Sequence, residues 1–170
     1  MLAIKKLVLI ALLAASALVI QIGLAVLPNI ELVSLWFLIV ARKLSFKENL
    51  LVIFIFTLLE GLVWGFGDWV LGYLWIWTLW IVLVKGLSTL IKDRAPLWAL
   101  VGALFGFSFG FLFALQHALL YGLNMGLIYW VRGIPFDIIH AFGNYILILL
   151  FYKPLIHTFE ILLRKWVKSE

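Results

Sequence analysis

"MLAIKKLVLIALLAASALVIQIGLAVL", residues 1–27, decides how many helices this chain contains. Two lysines followed by an apolar run with "AASA" inside it have the form of a secretory signal peptide. The run from Leu7 to Leu27 is nevertheless long enough to cross a bilayer, whose hydrocarbon core asks for about 20 apolar residues per helix. Removing it would leave five helices whose flanking charges no longer alternate, so the segment is read as retained and as the first of six.

The rest of the chain supports a lipid setting. Of 170 residues, 66% are hydrophobic and 12% charged, and the mean hydropathy is strongly positive. A soluble domain with a polar skin is excluded by that composition. The chain reads as one all-α integral membrane domain over residues 1–170. Nine Trp and five Tyr fit interfacial anchoring, with some left over to line a pocket. The absence of cysteine excludes disulfides, thiolate metal sites and thiol catalysis.

Six apolar stretches run from Leu7 to Leu27, Glu31 to Ala41, Leu50 to Trp64, Trp69 to Ile91, Pro96 to Tyr121 and Pro135 to Tyr152. The second and third are short for a span, so the bundle is expected to be thin or irregular there. Lys and Arg stay on the cytoplasmic side of short loops. With the N-terminus inside, the inner ends carry Lys5 and Lys6; Arg42, Lys43 and Lys47; Lys85, Lys92 and Arg94; and Lys153, Arg164, Lys165 and Lys168. Only Arg132 of the 13 basic residues falls outside. The partition predicts six transmembrane helices with both termini cytoplasmic. It also accounts for the net charge of +5 without nucleic acid.

The acidic residues divide differently. Glu48, Asp93, Glu160 and Glu170 lie near the basic side, whereas Glu31, Glu60, Asp68 and Asp137 fall at the outer helix ends, in "LPNIEL", "LLEGLVWGFGDW" and "RGIPFDIIH". Ionisable groups at membrane depth are costly unless they face a cavity or one another. If Pro135 opens the last helix, the spacings of three and four put Asp137, His140 and Asn144 on one stripe. These three are expected to point into an outward cavity closed by loops around Asn29 and Asp68, with Glu60, Trp64 and Trp69 on the opposing wall. The plainer reading is that Glu31, Asp68 and Asp137 complement helix N-termini. His117, one turn from Tyr121, either faces the same cavity or makes a hydrogen bond within the bundle. The glycines of "GFGDW" suit a tight turn. Gly102, Gly106 and Gly110 recur every four residues, which lets a helix approach closely inside the bundle. Ala11 and Ala15 make a similar small-residue strip on the first helix, for internal packing or for a partner.

Taken together, "KKLVLIALLAASA", the short second helix entered through "PNIELV", and a last helix opening with "GIPFDIIHAFGNY" and leaving through "LFYKPL" resemble the substrate-binding S component of an energy-coupling factor vitamin transporter. The resemblance covers essentially the whole chain. It implies a subunit that binds a vitamin from outside and docks on a transmembrane T subunit driven by two ATPase subunits. It then topples in the bilayer to release its cargo inward. Ala11 and Ala15 inherit the partner-docking role, and Glu31, Glu60, Trp64, Asp68, Trp69, His117, Asp137, His140 and Asn144 are the expected substrate-binding residues. The subunit itself is expected to be no enzyme and to carry no cofactor, ATP being used by the partners; no P-loop occurs in the chain. Four outer carboxylates against Arg132 disfavour an acidic ligand. The metal-binding members' N-terminal Met-His pattern is missing, since Leu2 follows Met1. Cobalamin is the leading expectation, ahead of a pyridoxine-type or thiamin-precursor ligand. Two rivals come from other classes. One is an intramembrane enzyme using Asp137, His140 and His117 as metal ligands or as acid and base. The other is an assembly subunit whose polar groups serve packing.

Overall fold

The computed structural model describes residues 3–168 as six helices: α1 (Ala3–Leu24), α2 (Val33–Lys43), α3 (Phe46–Trp64), α4 (Trp69–Ile91), α5 (Ala95–Tyr121) and α6 (Leu123–Lys168). Four of them, α1, α4, α5 and α6, are long and apolar enough to cross a membrane. Glu170 and the side chain of Lys168, both counted in the charge partition, lie outside the described residues.

Turn chemistry sets the boundaries. Ser45 caps α3 in a capping box: its hydroxyl accepts from the Glu48 amide at 3.4 Å, while the Glu48 carboxylate accepts from the Ser45 amide at 2.6 Å. α3 ends at Gly65 (φ 85°) and α5 at Gly122 (φ 91°), left-handed positions that a side chain would strain. Pro96 lies in the first turn of α5, where the missing N–H is not needed.

At 11 residues, α2 is about 17 Å long. It sits in the middle of the bundle and is apolar almost all round, as a core helix should be. Leu35, Phe37, Leu38, Ile39 and Val40 are all buried. Neighbours on three sides tie it down. Trp36 Nε1 donates to the Leu13 carbonyl of α1 at 3.1 Å. Trp80 Nε1 of α4 donates to the Ser34 carbonyl at 3.0 Å. Asn144 Nδ2 of α6 donates to Ser34 Oγ at 3.2 Å.

The bundle has two chemically distinct ends. At one, Lys6 pairs with Glu48 at 2.9 Å, Arg42 with Asp93, and Lys43 with Glu160. Tyr152 joins the Arg42–Asp93 pair, and Lys85 Nζ donates to the Ala41 carbonyl of α2 and to that of its C-cap Leu44, at 2.9 and 2.6 Å. This cation at a helix C-terminus meets orphan carbonyls and the negative end of the dipole together. The Arg42 guanidinium holds the Asp93 carboxyl below its ordinary value of 3.8. The other end gathers Glu31, Asp68, His117, Asp137 and His140.

The last helix departs from expectation. Pro135 does not open it; α6 starts twelve residues earlier, at Leu123, and runs 46 residues with Pro135 and Pro154 inside. At about 69 Å it is more than twice the thickness of a hydrocarbon core. Its first turns lie back against α5, where Gly126 meets Ala114 and Ala118 so closely that a Cβ would overlap them. Each proline leaves the carbonyl four residues earlier, on Val131 and Leu150, without its helical donor. Consequently Asp137 is not in a first helical turn, and helix-terminus complementation does not explain it. α3 also differs, with 19 residues, because the polar "FKEN" start belongs to the helix.

Candidate functional site

The polar stripe of α6 faces the glycine strip of α5. Gly110 lies against the Asp137 carboxylate, Gly106 against Asn144 and the His140 carbonyl, and Gly102 against Ile148 and Asn144. A Cβ on Gly106 would come within 2.9 Å of Asn144 Nδ2 and 3.0 Å of the His140 carbonyl oxygen. The close approach lets backbone groups of α5 serve side chains of α6: the Gly110 amide donates to Asp137 Oδ1 at 2.9 Å, and Asn144 Nδ2 donates to the Gly102 carbonyl at 3.3 Å.

Above this seam, at the acidic end, a cavity of about 680 Å³ opens between α4, α5 and α6. Its walls are aromatic: Trp69 and Tyr73 from α4, Phe109 and Phe113 from α5, Tyr129 and Phe136 from α6. Its polar edge comes from Asn29, His117, Arg132 and Asp137. Asp137 is 4% exposed; with Oδ1 held by Gly110, its Oδ2 is buried without a hydrogen-bond partner. Arg132 makes no ion pair among the described residues. An unused acceptor and an unpaired guanidinium thus face one space walled by π-systems. The His117 ring stacks on Tyr129 with centroids 4.0 Å apart, which fixes both on the cavity wall.

The loop between α1 and α2 closes a second space of about 300 Å³, sharing Asn29, Tyr73 and Phe109 with the first. His140 lies here, not in the main cavity. Its Nε2–H donates to Glu31 Oε1 at 3.1 Å, and its ring stands edge-on to Phe109 at 5.1 Å. Glu31 also accepts from the Ser34 amide at 3.0 Å, so helix-terminus complementation and a partner across the bundle both operate at this residue.

Asp68 stands at the rim. Tyr121 Oη donates to its Oδ2 at 3.1 Å, His117 Nε2 lies 3.7 Å away, and its backbone carbonyl accepts from Gln116 Nε2 at 2.8 Å. Glu60 and Trp64 do not form the opposing wall of the main cavity. They line a separate compartment of about 310 Å³ with Gln21, and only Trp69 and Tyr73 are shared between the two. Asn144 leaves the expected set altogether: it is 1% exposed, lines none of these spaces, and spends its amide on Ser34 and Gly102. Two turns into the stripe, the helices are already too close for a cavity.

The expected set missed Phe109, Phe113, Tyr129 and Arg132. Phe105, Phe109 and Phe113 repeat every four residues beside the glycine strip, a pattern that announces a second face of α5. Arg132, expected on the outer side but not among the binding residues, belongs to the cavity because α6 extends past Pro135 toward Leu123. No family model, no curated protein and no solved structure matches this chain.

Proposed function

We propose that this chain is a membrane-embedded binding subunit with six spans and both termini in the cytoplasm. It captures a small heteroaromatic molecule on the outer side and delivers it inward with partner subunits, as the S component of a vitamin importer does. The observation that carries the reading is that the unpartnered Asp137 Oδ2 and Arg132 line one aromatic cavity of about 680 Å³. Cavities of about 300 to 1,000 Å³ lined by aromatic groups with few polar ones bind small organic ligands. The polar pair supplies one acceptor and one donor fork, and the rings supply stacking faces. Cobalamin, with its macrocycle, many amide arms and nucleotide loop, needs more room and more polar partners than these walls offer. The cavity therefore favours a pyridoxine-type or thiamin-precursor ligand.

Two further features support the proposal. The concentration of ion-paired Lys and Arg at the opposite end fits the cytoplasmic face. Ala11 and Ala15 are exposed on α1 while Ala14 and Ala17 face the core, so the small-residue strip is free for a T subunit. The test is mass spectrometry of small molecules extracted from protein purified out of its native membrane, followed by calorimetry with the molecule identified. Asp137→Asn removes the charged acceptor and should weaken binding about tenfold or more, a charged hydrogen bond being worth about 1.5 to 3 kcal/mol. Recovery of no small molecule, or unchanged affinity in that variant, refutes the assignment.

A further inference from the structure

Glu60 poses a separate question. It is 2% exposed, its Oε1 has no hydrogen-bond partner, and no Lys or Arg lines the compartment of about 310 Å³ that it faces. A buried carboxylate without a counter-charge is strongly penalised. The helices arrange its surroundings as two pairs one turn apart, Glu60 with Trp64 on α3 and Trp69 with Tyr73 on α4. The Trp69 and Tyr73 rings meet edge to face, centroids 5.1 Å apart and planes at 77°, making an angled aromatic wall opposite the carboxylate. Gln21 of α1 adds a side-chain amide.

We propose that this compartment is a binding subsite for an organic ammonium group, with Glu60 as its counter-charge and Trp64, Trp69 and Tyr73 as its cage. Aromatic faces attract cations through their quadrupoles, and quaternary ammonium is the group such cages hold best. A hard metal ion is a poorer fit, since calcium takes six to eight oxygen ligands and the lining side chains that carry oxygen are three, Glu60, Gln21 and Tyr73. The subsite is distinct from the main cavity and does not rest on the transport reading. The ammonium group has two sources, a free cation or a lipid headgroup. Trp64 is 58% exposed beside the exposed Leu62 and Val63, so the mouth lies on an apolar outer surface as well as at the bundle end.

The experiment uses the full chain in phosphatidylglycerol nanodiscs, with binding followed by saturation-transfer NMR on the methyl protons of choline and of its neutral carbon isostere, 3,3-dimethylbutan-1-ol. Choline should bind at least tenfold more tightly than the isostere, Glu60→Gln should reduce choline binding at least tenfold, and Asp137→Asn should leave it unchanged. Equal binding of choline and isostere to the wild-type protein overturns the proposal whether or not the Glu60 variant folds, and so does undiminished choline binding by a folded Glu60→Gln protein. Repeating the titration in phosphatidylcholine discs separates the sources. Loss of free choline binding there identifies the headgroup as occupant, and persistence identifies the free cation. A loss of binding on Asp137→Asn equal to that on Glu60→Gln also overturns it, since choline would then occupy the main cavity.

Discussion

Gly110→Ala tests the α5–α6 seam at the point where it shapes the cavity. An alanine Cβ there would lie 2.6 Å from Asp137 Oδ1 and 2.8 Å from its Cγ, distances that real side chains do not tolerate. Either the carboxylate moves and gives up the Gly110 amide, or α6 moves away from α5. Overpacking of this kind costs about 1 to 3 kcal/mol. Alanine returns up to about 1 kcal/mol of helix propensity. In an Asp137→Ala background the clashing atoms are gone and only the favourable part remains. The double-mutant cycle should therefore show a coupling of about 1 to 3 kcal/mol, measured by reversible unfolding of the purified protein in mixed micelles. Gly86→Ala is the control, because a Cβ at Gly86 meets nothing within 4 Å; it should be neutral or mildly stabilising. Additive effects of Gly110→Ala and Asp137→Ala, with a coupling below about 0.5 kcal/mol, would refute the contact on which the description of the cavity floor depends.

Asn144→Leu should destabilise the bundle by about 1 to 3 kcal/mol by removing the amide's bonds to Ser34 and the Gly102 carbonyl, with ligand affinity changed less than threefold in the folded protein; calorimetry paired with thermal melts separates the two. The depressed Asp93 carboxyl contributes stability that is present above its ordinary value of 3.8 and is lost as pH falls through its lower folded value. Wild-type protein should accordingly lose its advantage over Asp93→Asn across that acid range, as read from unfolding midpoints against pH, and a pH-independent difference would exclude the Arg42 pairing as its cause. For orientation, a cysteine at the exposed Lys47 should resist an impermeant reagent in whole cells while one at the exposed Asn124 labels; the reverse pattern would invert the proposed topology.

Most of the helices were legible because apolar runs and Lys/Arg clusters are properties of the chain itself. The exception is instructive. Residues 123–134 hold Asn124, Gly126, Arg132 and Gly133, which interrupt the apolar run, and Pro135 imitates a helix start. This stretch packs on α5 through Gly126 against Ala114 and Ala118, Tyr129 against His117 and Trp130 against Phe111, contacts between helices that no local pattern reports. At the site, the stripe of Asp137, His140 and Asn144 was visible from spacing alone, and so was the strip of Gly102, Gly106 and Gly110. That the two strips face each other was not visible, and their closeness is what excludes Asn144 from the cavity. Aromatic walls are hard to single out where Phe and Trp serve core, interface and pocket alike. Glu60 stood out as a carboxylate at membrane depth, but its separation from Asp137 depends on how Trp69 and Tyr73 divide the space.

The ties that hold α2 have a consequence for biogenesis. Ser34 is held by a residue 110 positions later, Glu31 by one 109 positions later, and Lys43 by one 117 positions later. At a synthesis rate of about 5 to 20 residues per second, roughly 5 to 20 s separate the emergence of this short helix from the arrival of its partners. During that interval a carboxylate, a hydroxyl and two cations at its ends have no α6 to meet. The second helix can thus dock on α1 and α4 early, through Trp36 and Trp80, yet its polar ends are completed only when the last helix is made.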